Sequence, residues 1–318
     1  MKFRRPKLQE IRKMMEEYGI PGNDLYDLPS SRKCFPDGSQ YRIEIAGVEK
    51  FSSMVAMIDE AKKRKVPVHR AICTVGGSTY CNKKEIEEMA KLAHDEQIEM
   101  VMVIGHRKAW DVGSKEMSNP EGIPQGPRLR GSESMSYWIE DMMRNIEAGV
   151  RGFLVYDEGL LGILNYMRDK GFIPKETIFK WSVFGGQNSP AGAKLVKDLG
   201  VNSMNPLSDV SLPILAAIRS IIDIPLDVYL IIVDAFGGMF RAYDAPEIAR
   251  IASPVYFKIE PGPSEGEIYK PWVSRTWEED FIRLKVKLAE ILIEIVRSRD
   301  PDIKLSEHGP KDLVLPVV

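Results

Sequence analysis

The residues best suited to do chemistry in this sequence are ionisable side chains placed inside runs that otherwise read as buried β-strands. Tyr41, Ile43 and Ile45 share one parity of the run Tyr41–Ala46, which puts Arg42 and Glu44 on the other. Phe179, Trp181 and Val183 likewise leave Lys180 and Ser182 opposite, and Val255, Phe257 and Ile259 leave Tyr256, Lys258 and Glu260 opposite. Successive strand side chains point to opposite faces, so these polar sets turn away from the apolar layer together. An unpaired buried charge costs several kcal/mol, so Arg42, Glu44, Lys180, Lys258 and Glu260 must pair with one another or with a ligand. A buried lysine can form a Schiff base with a carbonyl substrate once burial or a neighbouring cation lowers its pKa. Glu44 or Glu260 would then carry the proton. The same lysines could instead bind an anionic substrate group, or Glu44 and Lys258 could form a scaffolding ion pair.

A second group of candidates is less regular. His69 and Cys73 are placed on the inward face of their run, opposite Val68 and Ile72, which leaves Arg70 on the wrong parity. Polar residues also follow the strand-like runs: His106 and Arg107, Asp157 and Glu158, Gln187 and Asn188, Asn205, and Asp234. His69, His106, Asp157, Glu158, Asp234 and Glu260 could assemble a His/carboxylate metal site. With only 4 histidines and no HxH or HExxH spacing, zinc has little support, and a carboxylate site for a Mg²⁺-type divalent metal stays open. Cys73 near His69 could be a thiol nucleophile, although a strand cysteine is more often a small hydrophobe. Gly76-Gly77, Gly185-Gly186, Gly237-Gly238 and Gly262 could offer backbone amides to an anion, or simply make turns.

These residues need a scaffold that brings several strands to one point. Eight strand-like runs alternate with helical ones, at Tyr41–Ala46, Val66–Thr74, Ile98–Gly105, Val150–Tyr156, Thr177–Phe184, Val201–Asn205, Leu226–Val233 and Pro254–Ile259. Most start 24 to 32 residues apart, one βα unit each. The pattern predicts an α/β fold, a (β/α)₈ TIM barrel over residues 41–300, whose chemistry belongs at the C-terminal ends of the strands. An open doubly wound sheet would show a glycine-rich phosphate loop after an early strand, and none is evident. Residues 1–40 form an N-terminal extension with one helix (Lys7–Tyr18), expected to cap the barrel bottom. A last helix, Glu278–Arg297, precedes a tail at 301–318. The third unit carries a long loop, 107–131, whose Arg128 and Arg130 could contact an anion over the mouth; loops of this length are commonly functional.

Composition excludes several classes. The 318 residues carry 44 Lys+Arg against 46 Asp+Glu, without the basic surplus of a dedicated nucleic-acid binder. No apolar run approaches the ~18 residues of a transmembrane helix, and the basic N-terminus lacks the apolar stretch of a secretory signal. Three scattered cysteines, Cys34, Cys73 and Cys81, make no disulfide framework. The expectation is a cytoplasmic barrel acting on a small-molecule or peptide substrate, the alternatives being a Schiff-base or metal-assisted aldolase or lyase and a barrel that binds a ligand or partner without turnover, in each case without nucleic-acid or membrane partners. Its apolar last helix is a candidate homo-oligomer interface.

The segment from Lys180 to Leu212, with Gln187-Asn188 at a strand end and Ser208-Asp209-Val210-Ser211-Leu212 at a helix start, resembles the U32 peptidase family. Pro246–Gly262 is similar to the eighth unit of such barrels, and the resemblance covers roughly residues 150–262. It implies a barrel hydrolase acting on peptide-like substrates, with Gln187, Asn188 and Lys258 as carried-over site residues. Many members carry a cysteine-containing motif late in the barrel, and some hold an iron–sulfur cluster on four cysteines. This chain has no cysteine after Cys81, so no such cluster is expected. The catalytic set expected at the mouth is Glu44, His69, Asp157, Glu158, Lys180, Lys258 and Glu260.

Overall fold

The strand-like runs pair in chain order into one closed parallel barrel, β1 through β8, in the computed structural model, which describes residues 4–74, 80–105, 129–234, 237–260, 262 and 278–318. The strands are β1 (Tyr41–Ala46), β2 (Arg70–Cys73), β3 (Glu99–Val103), β4 (Gly152–Val155), β5 (Ile178–Trp181), β6 (Ser203–Met204), β7 (Leu226–Ile231) and β8 (Val255–Ile259). The helices are α1 (Leu8–Glu17), α2 (Phe51–Arg64), α3 (Lys83–Asp95), α4 (Gly131–Glu147), α5 (Glu158–Asp169), α6 (Pro190–Asp198), α7 (Leu212–Ile221), α8 (Ala245–Ala252) and α9 (Glu278–Arg299). None is long and apolar enough to cross a membrane among the described residues.

The layer between strands and helices is the main core. Tyr41, Ile43, Ile45, Phe179, Trp181, Val255, Phe257 and Ile259 are fully buried, each side chain contributing about 1.5–3 kcal/mol of burial. Helix α9 sets Ile282, Val286, Ala289, Leu292 and Val296 against this layer and packs beside α2. Local signals fix the helix starts: Asn82 and Glu85 form a reciprocal cap on α3, and Asp157 and Ser189 cap α5 and α6. Each such cap contributes about 1 kcal/mol.

The bottom of the barrel is closed by the later part of the N-terminal extension and by the C-terminal tail, while helix α1 buries none of its residues. Phe35 sits under Arg42 and edge-on to Tyr256, and the C-terminal tail crosses the floor, with Val314 N donating to Glu99 (3.2 Å) and Val317 N to the Gly149 carbonyl (2.8 Å). Gly149 has φ +99°, and a Cβ there would lie 2.2 Å from the Val317 oxygen, so both its conformation and the docked tail require glycine.

Candidate active site

The barrel interior is a column of charge running from floor to mouth. At the floor, Arg42 is buried and bidentate to Asp312 (2.8 and 2.7 Å), with its Nε donating to the Ser306 hydroxyl (2.9 Å). Asp37 accepts from Ser39 and Ser306, and these hydrogen bonds with the Arg42 charge outweigh its burial and hold its pKa at about 2. His69 belongs to this end too. Its Nδ1 accepts from the Ile43 amide (3.0 Å), so Nε2 carries the proton and donates to the Ser306 and Glu307 carbonyls (3.2 and 3.1 Å). Burial, together with the Arg42 charge, pushes its pKa down to about 3. The ring is a neutral clamp for the tail, far from the expected catalytic face.

His69 falls there because the register of β2 differs from the predicted one. Glu44 pairs with Arg70, and Arg70 with Glu99, which turns Arg70 inward and removes the parity conflict. Cys73 directs its thiol to Glu49 instead (3.1 Å). In the middle of the barrel the Arg70 guanidinium meets Glu99, Glu44 (3.0 Å) and Asp227 (2.8 Å) and lies over the Tyr256 ring. Lys180 sits between Glu44 (3.1 Å) and Asp227 (2.5 Å). Burial opposes ionisation of Asp227, but the Lys180 and Arg70 charges outweigh it and hold the carboxyl below its usual range. These groups satisfy one another at close range.

Towards the mouth the pairing loosens. Lys258 is 2% exposed, yet its closest carboxylate oxygens, on Glu260 and Glu44, are 3.6 and 3.7 Å away, beyond hydrogen-bonding distance. It lies 4.7 Å over the Tyr229 ring, and the facing Glu44 Oε1 is itself buried without a hydrogen bond. Tyr229 donates its hydroxyl to Glu260 (2.9 Å), which stands just past the C-terminal end of β8. Beside them Lys285 of α9 is buried with Nζ on the Ala46 carbonyl (2.7 Å), and burial lowers its pKa against the pull of Glu260 and Glu49. Buried Glu49 accepts from the Thr74 amide and hydroxyl (2.8 Å each).

The remaining expected residues divide clearly. Glu44, Lys180, Lys258 and Glu260 come together as expected. Asp157 caps α5, accepting from Leu160 N (2.9 Å), and its other oxygen meets Leu129 N (3.4 Å). Glu158 accepts from Gln187 (3.1 Å), and Asn188 bridges the Gly186 carbonyl and the Leu207 amide on an exposed turn. Asn205 donates to the Asp227 carbonyl (2.7 Å), buried beneath the rim. Asp234 and Arg130 are exposed. His106, Arg107 and Arg128, with Gly76-Gly77, lie outside the described residues. No group of three or more His, Cys, Asp or Glu is arranged to hold a metal ion among the described residues.

Arg70, Glu99, Asp227, Tyr229 and Lys285 were not among the expected site residues. Alternation in Leu226–Ile231 points Asp227 and Tyr229 inward by the rule used elsewhere, and Lys285 falls on the apolar stripe of its helix between Ile282 and Val286.

Comparison with known proteins bears on the architecture. No family model and no curated sequence matches the chain. Among solved structures, the YdjI aldolase of Escherichia coli K12 is similar over 82% of this chain and 93% of its own, at 14% identity and TM-score 0.50. This chain has a TIM-barrel fold. N-(5'-phosphoribosyl)anthranilate isomerase of Pyrococcus furiosus matches at 10% identity and TM-score 0.44, over 81% of this chain and 99% of its own. A U32 peptidase matches at 16% and 0.39, over 64% and 73%. At such identities the likeness is one of fold.

Proposed function

We propose that this TIM barrel is an enzyme of carbonyl chemistry, a lyase or aldolase that uses Lys258 to form a Schiff base with a small oxo-acid. The observation that carries the reading is the state of Lys258, buried at the mouth end with both neighbouring carboxylates outside hydrogen-bonding distance. Its Nζ is not fixed by a close carboxylate among the described residues, so it can turn to a bound carbonyl carbon as a nucleophile, passing its proton to Glu260. Lys180 is fixed in place at 2.5 and 3.1 Å from two carboxylates, while burial lowers its pKa against their pull.

The reaction follows from this arrangement. The neutral Lys258 amine adds to the substrate carbonyl carbon, and the carbinolamine hydroxyl leaves as water with the proton that Lys258 passed to Glu260, which gives a protonated imine and an ionised Glu260. That cation draws electrons from the adjacent carbon, so a C–H or C–C bond there breaks to leave an enamine. Glu260, oriented by the Tyr229 hydroxyl, takes up the released proton and returns it when the enamine is quenched. Water then hydrolyses the imine and frees Lys258.

Peptide hydrolysis, implied by the sequence resemblance, finds less support: Gln187 and Asn188 are engaged in turn contacts. Exchange of substrate α-protons separates the two. The protein in D₂O with pyruvate and other 2-oxo acids is expected to exchange the C3 protons, followed by proton NMR, and Lys258→Met is expected to abolish this. Exchange that survives Lys258→Met, or peptide cleavage without any exchange, would overturn the proposal.

A further inference from the structure

We propose a second ligand site on the opposite, N-terminal face of the barrel, shaped for a small aliphatic monocarboxylate. A cavity of about 330 Å³ opens there between the end of α2, the turn before β3, the end of α9 and tail residues 305–308, a size suited to a small organic ligand. Its wall is apolar, formed by Val66, Val68 and Ile98 among others. Its charges are three cations, Lys62, Lys65 and Arg297, against two carboxylates, Glu96 and Glu307.

Lys62 is neutralised by Glu96 at 2.6 Å. Lys65 and Arg297 have no ion pair among the described residues, and Glu307 can neutralise only one of them. One positive charge is therefore left over an apolar wall, which matches a single carboxylate on an alkyl body better than a phosphate dianion. Lys65 is the left-handed C-cap of α2, with its N–H on the Ala61 and Lys62 carbonyls, which fixes its backbone at the cavity edge. The tail forming one wall is the segment whose Ser306 and Glu307 carbonyls His69 clamps, so a ligand here would rest on the barrel floor and not on the Lys258 mouth.

The test uses 6,6,6-trifluorohexanoate with the full-length chain, followed by fluorine NMR line broadening. Saturable binding is expected, weakened at least about tenfold in Lys65→Ala/Arg297→Ala, unchanged in Lys258→Met, and retained in the presence of excess hexylammonium. Both replaced side chains are at the surface, and circular dichroism checks that the double variant folds. Absence of saturable broadening up to about 10 mM, equal affinity in the double variant, loss of binding in Lys258→Met, or displacement by hexylammonium would each overturn the proposal.

Discussion

The floor and the mouth of this barrel hold the same kinds of residue in opposite conditions. At the floor, Arg42 has Asp312 at 2.7 Å, and His69 has a partner on each ring nitrogen. At the mouth, the carboxylates nearest Lys258 among the described residues are 3.6 and 3.7 Å away. Burying a charge without close partners costs stability, and a fold keeps such a group where chemistry needs it. Burial and charge alone therefore do not mark a site. What differs between the two ends is the distance at which the buried charge is satisfied.

Replacements along the column test that contrast, and the largest effect is expected in the middle. Glu44 faces Arg70, Lys180 and Lys258 at once, so Glu44→Gln should cost about 3–5 kcal/mol in urea unfolding. A loss below about 1 kcal/mol would mean the column is not a connected network. Lys180→Met, which leaves Asp227 with Arg70 as its remaining cation, should fall in the same range.

The floor should show itself in pH dependence. His69 is neutral when folded, with its pKa pushed down to about 3, whereas the unfolded ring binds a proton below its ordinary value of 6.5. Its contribution is therefore complete above that value and is lost as the pH falls towards the folded pKa, at up to about 1.4 kcal/mol per pH unit. Unfolding free energies of the wild type should decline more steeply from pH 6.5 to 4 than those of His69→Gln. Parallel curves would remove His69 from the tail clamp.

Smaller effects sharpen the boundary between cap and catalyst. Asp157→Ala should cost about 1 kcal/mol, the usual value of a helix cap, with little change in kcat. A loss of activity beyond that stability change would return Asp157 to the catalytic set. The smallest stability effect is expected at the residue proposed as the nucleophile. Lys258→Met should change stability by less than about 1 kcal/mol, or raise it, because no close ion pair is lost. A cost equal to that of Lys180→Met would make Lys258 a structural ion.

Much of this was legible in the sequence, for a physical reason. Strands β1, β5 and β8 alternate strictly, so parity alone placed Glu44, Lys180, Lys258 and Glu260 inside. In β2 the run from Val66 to Thr74 is apolar on both parities, with His69 and Arg70 adjacent. Only the pairing of Glu44 with Arg70 decides which of them enters the barrel. Asp157 was misleading because a strand end is also a helix start, where a carboxylate is favoured as a cap. The tail's part in closing the floor depends on contacts between Arg42 and Asp312, 270 positions apart, which no local pattern reveals.

The most direct measurement is reduction with borohydride in the presence of pyruvate or another 2-oxo acid, followed by intact mass and peptide mapping. A stable adduct on the peptide containing Lys258, present in Lys285→Met and absent from Lys258→Met, is the expected result. An adduct on Lys180 or Lys285, or no adduct while oxo-acid turnover proceeds, would contradict the assignment of Lys258 as the nucleophile.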